Sequence, residues 1–302
     1  MFHKVNKSTV IKAAIVMTVL ALLLYSGFCF LVAYLGVKPV TGPLNISPSA
    51  IGKNNQDITV TTRDKIKLKG WLFRSSSDKL VILVTGYAQN RLDNDYGGYL
   101  IAKDLVNNGY NVLIYDDRAT GLSGGNYMTQ GMKESLDLLS VVSFARSIGF
   151  KDQNIALIGN SLGAIVILQD CDRLPSVGAM VIDSAAFNVK GIMENILQNQ
   201  NHINKIFNPG IFFILKHLYG IDFSQIQPAE HILKAPERIF LYLHGALDTT
   251  IYPVESKKLL AISNPNSRLV VFPNATHVQT YKSDPGLYRQ KVFSFLSQNL
   301  EK

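Results

Sequence analysis

The sequence predicts an α/β fold, a mostly parallel central sheet with helices on both faces. Three observations carry this. Short, largely apolar runs recur along the chain, at Leu80–Val84, Asn111–Tyr115 and Ile155–Ile158, as strands buried on both faces require. Segments with helical periodicity, Tyr99–Asn107 and Met132–Ile148, alternate with them. Residues able to do chemistry fall directly after the apolar runs, where open parallel sheets bind ligands.

The N-terminus reads differently from the rest. No residue from Ala13 to Val37 is charged. At roughly 1.5 Å per helical residue this stretch covers a hydrocarbon core of about 30 Å. It is longer than the apolar region of a cleaved signal peptide, the other reading of such a segment. Ser26-Gly27-Phe28-Cys29 superficially suggests a lipoprotein cleavage site, but Phe28 is too bulky before the cysteine. Lys4, Lys7 and Lys12 precede the stretch, and Lys38 and Lys53 follow it. The positive-inside rule then predicts a single-pass signal-anchor. Residues 1–12 are expected in the cytoplasm, 13–37 in the bilayer, and the domain outside the cytoplasm. Residues 38–50, with Gly42, Pro43 and Pro48, read as a linker to a domain spanning 51–302.

Within the domain, Ile58–Thr61 and Ile66–Phe73 flank Arg63-Asp64-Lys65 and predict a hairpin at one sheet edge. Strands are expected at Leu80–Val84, Asn111–Tyr115, Ile155–Ile158, Met180–Ile182, Ile239–Leu243 and Leu269–Phe272, with a closing helix at Tyr288–Leu296.

Composition excludes several classes of function. The 302 residues carry a net charge of +8 without a dense basic cluster, so no nucleic-acid surface is predicted. The two cysteines, Cys29 and Cys171, lie in the apolar N-terminus and in an expected helix, so no disulfide framework follows. There is no CxxC or HExxH, and neither a metal nor another cofactor is expected.

Gly159-Asn160-Ser161-Leu162-Gly163 lies between one apolar run and another, Ala164–Leu168. A strand, a tight turn and a buried helix would lift the Ser161 hydroxyl above a sheet edge, with small residues wherever a side chain would strike the neighbouring helix or strand. Such a motif alone is weak. The chain adds Asp248 in the loop after Ile239–Leu243, and His277 after Leu269–Phe272. A serine hydroxyl needs a base within reach, for which His277 is the candidate. The imidazole needs a carboxylate to fix its tautomer, for which Asp248 is the candidate and Asp183 the rival.

In these motifs the chain resembles the α/β-hydrolase superfamily from about Ile58 to Leu300. It is similar in particular to membrane-anchored bacterial hydrolases of serine-aminopeptidase-like and esterase-like type. Thr85–Asn90 and Asp116–Ser123 add to the match, although Thr85 stands where a histidine is common and Ala119 where a glycine is. The order Ser161, Asp248, His277 is that of this fold. The resemblance implies an oxyanion hole from the backbone N–H groups of Leu162 and Tyr87, a structural role for His244, and a helical cap at about 188–228. Ile211, Leu215 and Leu218 share a helical face in that cap. They either pack it onto the core or, with Phe212 and Phe213, line an acyl pocket or touch lipid.

The expected activity is cleavage of an ester, thioester or small amide through an acyl-Ser161 intermediate. The partners would be a small acyl or peptide substrate and the bilayer. An aminopeptidase-like enzyme of the same fold and an inactive binding protein remain open alternatives.

Overall fold

The computed structural model describes residues 7–94 and 96–301. Lys4, with the rest of residues 1–6 of the expected cytoplasmic segment, lies outside the described residues. The chain starts with α1 (Lys7–Val37), a helix long and apolar enough to cross a membrane. Its 31 residues correspond to about 46 Å of axis.

The domain then runs β1 (Asn55–Thr61), β2 (Lys67–Phe73), β3 (Leu80–Val84), α2 (Gly98–Asn107), β4 (Asn111–Tyr115), α3 (Glu134–Ser147), β5 (Ile155–Asn160), α4 (Leu162–Gln169) and β6 (Ala179–Asp183). A cap follows, with α5 (Val189–Asn195), a π-helical turn at Ile196–Gln200, and α6 (Asn208–Tyr219). The chain closes with α7 (Pro228–Lys234), β7 (Phe240–Gly245), α8 (Pro253–Ala261), β8 (Arg268–Phe272), α9 (Thr280–Ser283) and α10 (Pro285–Asn299).

The eight strands form one sheet in the order β1-β2-β4-β3-β5-β6-β7-β8. The opening hairpin pairs antiparallel, Ile58 opposite Gly70, and β2 runs antiparallel to β4. All other neighbours are parallel. This is the α/β-hydrolase fold. From β3 the chain moves outward to β4 and then returns to β5 on the other side. The carboxyl ends of β3 and β5 therefore flank a topological switch point, where open sheets leave a crevice.

β3, β4, β5 and β6 are buried along their whole length, as the apolar runs predict. One core cluster packs α3, α4 and α8 onto the sheet, and a second packs α2 and α10 onto its other face. The expected strands are all present, with ends shifted by a residue or a few. The closing helix is longer than its apolar periodicity: Pro285 opens it, and the Asp284 side chain accepts from the Leu287 N–H at 2.9 Å. The short helices α7 and α8, which sequence periodicity does not signal, also begin at prolines, Pro228 and Pro253.

A third cluster lies under the cap. It joins Cys29, Ala33 and Val37 of α1 to Ile165, Val189, Leu197, Ile211 and Leu215. The C-terminal half of α1 is thus part of the folded domain. Gly210 of α6 lets the two helices approach: a Cβ there would stand 2.6 Å from Cys29 Sγ and 2.8 Å from the Tyr25 ring.

Candidate active site

Ser161 occupies the turn between β5 and α4 with φ 47° and ψ −114°. This left-handed conformation costs a non-glycine residue on the order of 1–3 kcal/mol, and the surrounding packing must hold it. Two glycines make that packing possible. A Cβ on Gly159 would lie 2.6 Å from Ile167 Cδ1 and 2.7 Å from the Gly163 carbonyl carbon. A Cβ on Gly163 would be driven into the carbonyl oxygen of Val84 on β3. The Ser161 N–H donates to the Asp183 carbonyl at 2.9 Å, tying the turn to the end of β6.

His277 reaches Ser161 from the far end of the sheet. Its Nε2 lies 3.0 Å from Ser161 Oγ, and its Nδ1 lies 2.7 Å from Asp248 Oδ2. A carboxylate only accepts, so Nδ1 carries the proton and Nε2 is free to accept from the serine hydroxyl. The imidazole is 22% exposed, whereas the Asp248 carboxylate is fully buried, so substrate and water can reach one end of the relay only. Gly245 at the end of β7 lets the histidine loop pass, because a Cβ there would strike the carbonyls of Ala275 and Thr276. Backbone bonds from Ala246 to Phe272 and from Leu247 to Ala275, both 2.9 Å, join the acid loop to the histidine loop.

Asp248 is held on both oxygens. Oδ1 accepts the N–H groups of Thr250 and Ile251 at 2.9 Å, and Oδ2 faces both His277 and His244. Burial pushes its carboxyl pKa upward, but the bonds from His244 and His277 outweigh that and hold it down at about 2. His244 is fully buried, with Nε2 2.8 Å from the Ile251 carbonyl and Nδ1 2.6 Å from Ser256 Oγ. Burial lowers its pKa, yet Asp248 and the Ile251 carbonyl more than compensate, and the net shift is upward. His244 touches neither Ser161 nor His277 among the bonds of this site. It braces Asp248, the structural role that the resemblance implies.

Asp183, the rival acid, makes no bond to His277. It is fully buried behind the site, where Oδ1 accepts from Ser184 at 2.9 Å and Oδ2 accepts from Tyr96 at 3.3 Å and from Thr280. Burial raises its pKa to about 6 against the opposing bonds from Thr280 and Ser184.

Leu162 is the first residue of α4, so its N–H belongs to the helix-initial donors that no intrahelical carbonyl receives. The loop after β3 passes close to the serine: a Cβ on Gly86 would stand 3.6 Å from Ser161 Cβ. Tyr87 follows in that loop and, with Ser161 and Leu162, lines a cavity of about 480 Å³. Thr85, at the place where a histidine is common, instead donates to Asp117 at 3.4 Å.

The cavity walls differ from the expected ones. Ile211 and Leu215 are buried, but Leu218 is 58% exposed at the end of α6, beyond the packed face. Phe212 and Phe213 do not line the cavity; Phe212 packs edge-on against Phe223, and Phe213 points outward. The cap instead contributes Ile192, Met193, Ile196 and Leu197, from α5 and the π-helical turn after it. The opposite wall is Val32, Leu35 and Gly36 of α1, which sequence reading places only in the bilayer. A weak sequence signal for this exists: Cys29, Ala33 and Gly36 put small side chains along one stripe of the helix's C-terminal half, although Ser26 and Gly27 are small as well. Among the described residues, no group of three or more histidine, cysteine or acidic side chains is placed to hold a metal.

Comparison with known proteins agrees with this architecture. Residues 75–211 match the family model for serine aminopeptidase, S33, a span that includes Ser161 but neither Asp248 nor His277. The chain is 27% identical over 197 residues to the uncharacterized protein YqkD of Bacillus subtilis, covering 62% of each protein. It is 26% identical over 245 residues to the uncharacterized membrane protein YNL320W of Saccharomyces cerevisiae, covering 79% of this chain and 78% of that one. Among solved structures, the Pyrococcus furiosus esterase Pf2001 superposes with a TM-score of 0.75 at 27% identity, over 88% of this chain and 98% of its own. Est1E of Butyrivibrio proteoclasticus, solved with ferulic acid, shares the fold with a TM-score of 0.62 at 18% identity, over 81% and 100% of the two chains.

Proposed function

We propose that this chain, a member of the α/β-hydrolase superfamily, is a membrane-anchored serine hydrolase working through an acyl-Ser161 intermediate. The relay from Ser161 Oγ to His277 Nε2 at 3.0 Å, and from Nδ1 to Asp248 at 2.7 Å, carries the proposal.

As Ser161 Oγ attacks the substrate carbonyl carbon, His277 Nε2 takes its proton. The carbonyl π pair moves to oxygen, and the backbone N–H groups of Leu162 and Tyr87 receive the oxyanion. Each such donor contributes about 3 kcal/mol of barrier lowering. The buried Asp248 carboxylate stabilises the imidazolium and does not itself take the proton. His277 then returns the proton to the leaving oxygen, sulfur or nitrogen as the carbon–heteroatom bond breaks. Water, deprotonated by His277, attacks the acyl-serine; the carbon–Oγ bond breaks, His277 returns that proton to Ser161 Oγ, and the carboxylic acid leaves.

The cavity favours an acyl substrate over an aminoacyl one. Among the described residues its lining contains no carboxylate to pair with a substrate ammonium group, and its walls are mainly aliphatic. Esters and thioesters are the substrates this supports, ahead of the aminopeptidase reading. The long apolar helix and the lysines at its N-terminal end support a single span, with the N-terminus cytoplasmic and the domain outside.

A fluorophosphonate probe tests the proposal, because an activated serine displaces its fluoride and becomes phosphonylated. The full chain should label, while Ser161→Ala and His277→Ala should not. Equal labelling of Ser161→Ala would overturn the assignment.

A further inference from the structure

The first turns of α1 stand free, and its last turns form a wall of the cavity. One stripe of the helix, Tyr25, Cys29, Val32, Ala33, Gly36 and Val37, is turned to the domain. Tyr25 Oη donates to the Ile206 carbonyl at 2.9 Å, and Phe28 meets the Phe207 ring at 4.4 Å. The Gly36 carbonyl accepts both Tyr87 Oη at 3.0 Å and Gln130 Nε2 at 2.8 Å, while the Val37 carbonyl accepts the Met128 N–H at 2.9 Å. Rim residues of the site thus satisfy carbonyls at the end of the helix, which have no intrahelical partner. The helix is fixed to the site and does not act as a loose tether.

Length then decides where the cavity sits. The uncharged stretch free of the domain runs from Ala13 to Leu24 and covers only about 18 Å of axis, short of the roughly 30 Å of hydrocarbon to be crossed. Snorkelling of Lys12 narrows the gap without closing it. To complete the span, the helix must be immersed for about eight residues more, to the level of Val32. The adjoining cap edge must then lie at the membrane boundary, and its composition suits that place. Ile206, Phe213 and Leu218 are 58–65% exposed there, and Tyr34, Tyr127 and Tyr219 cluster near the helix end, with Lys38 over the Tyr34 ring and Lys133 over the Tyr127 ring. Leu35 is both a cavity wall and 59% exposed, so the cavity opens along α1 at this level.

We infer that the cavity takes the acyl chain of a membrane lipid, an ester of a long-chain fatty acid, which enters sideways from the bilayer between α1 and the cap. The inference rests on the serine-hydrolase reading above. Ile192, Met193, Ile196 and Leu197 face Val32 and Leu35 across the cavity and would enclose the chain, with Ser161 at its carbonyl end. Each methylene enclosed raises kcat/KM roughly fourfold until the cavity is full.

The test uses the full chain reconstituted in phosphatidylcholine vesicles, first shown to label with the fluorophosphonate. Fluorogenic esters with C4 and C16 chains are placed either in the same vesicles or in separate ones. The expected result is a C16 to C4 ratio in kcat/KM above 10, and C16 hydrolysis at least tenfold faster from the same vesicle than from a separate one. Leu35→Trp, which narrows the opening, should lower the C16 to C4 ratio at least tenfold, a ratio independent of the fraction folded. A labelled protein that prefers C4, or that cleaves C16 equally from both vesicle populations, overturns the inference and leaves the hydrolase reading standing. Absence of labelling overturns the hydrolase reading itself.

Discussion

Two buried aspartates near His277 behave oppositely, and the difference is one of partners. Asp248 receives N–H donors on both oxygens and stays ionised to about pH 2, while Asp183 is met by hydroxyls and burial raises it to about 6. Asp248→Asn presents the wrong partner to Nδ1 and is expected to lower kcat by about 10⁴. Asp183→Asn should cost less than tenfold, and steady-state kinetics on one ester compares the two. Stability separates them as well. Asp248 binds its proton more weakly when folded, so its stabilisation is complete above about pH 4 and lost as pH falls toward 2. Asp183 binds its proton more tightly when folded, so its stabilisation is present below about pH 4 and lost as pH rises through 6. Urea titrations at pH 4.5 and 7 should show Asp183→Asn losing part of the fall in stability that the native chain shows across that interval. An undiminished fall would count against the assignment. That Ser161 and His277 would meet was legible in the sequence, because groups able to do chemistry on a parallel sheet follow strand ends. The sequence already favours Asp248 over Asp183 for the acid, although both follow strands; the coordinates add the distance, with Asp248 and not Asp183 within bonding reach of the imidazole.

At the scale of elements, the site depends on close backbone approach, and the sheet around it is tied by buried guanidinium groups, Arg118 among them. Gly163→Ala would force α4 away from β3 and is expected to abolish labelling as well as lower stability, whereas an alanine at the open Gly109 turn pays only for its positive φ. Arg118 joins Asp64 in the β1–β2 turn at 2.8 Å to Asp137 on α3 at 2.6 Å. Asp137 is fully buried, so Arg118→Ala leaves its charge unpaired and should cost about 3–5 kcal/mol. A lower urea midpoint at constant slope is the readout. Strands were legible because burial on both faces demands continuous apolar runs. The cap was less so. Periodicity found the buried face of α6 through Ile211 and Leu215, but it cannot say which surface a face meets, and the π-helical turn at Ile196–Gln200 has no periodic signature of its own.

Across the whole molecule, hydropathy identified α1 as a candidate span but concealed its second role, because an average over composition does not say which stripe touches the domain. In sealed vesicles of cytoplasmic-side-in orientation, external protease should digest the domain and spare an N-terminal tag; loss of the tag would reverse the proposed topology. The central claim, a covalent acyl-Ser161 intermediate, is met most directly by acid-quenching the enzyme within one turnover of a p-nitrophenyl ester and weighing its peptides. The account predicts a burst of p-nitrophenol together with the acyl mass on the peptide containing Ser161, and neither in Ser161→Ala. Turnover of the ester with that peptide unmodified, or an undiminished burst from Ser161→Ala, would contradict it.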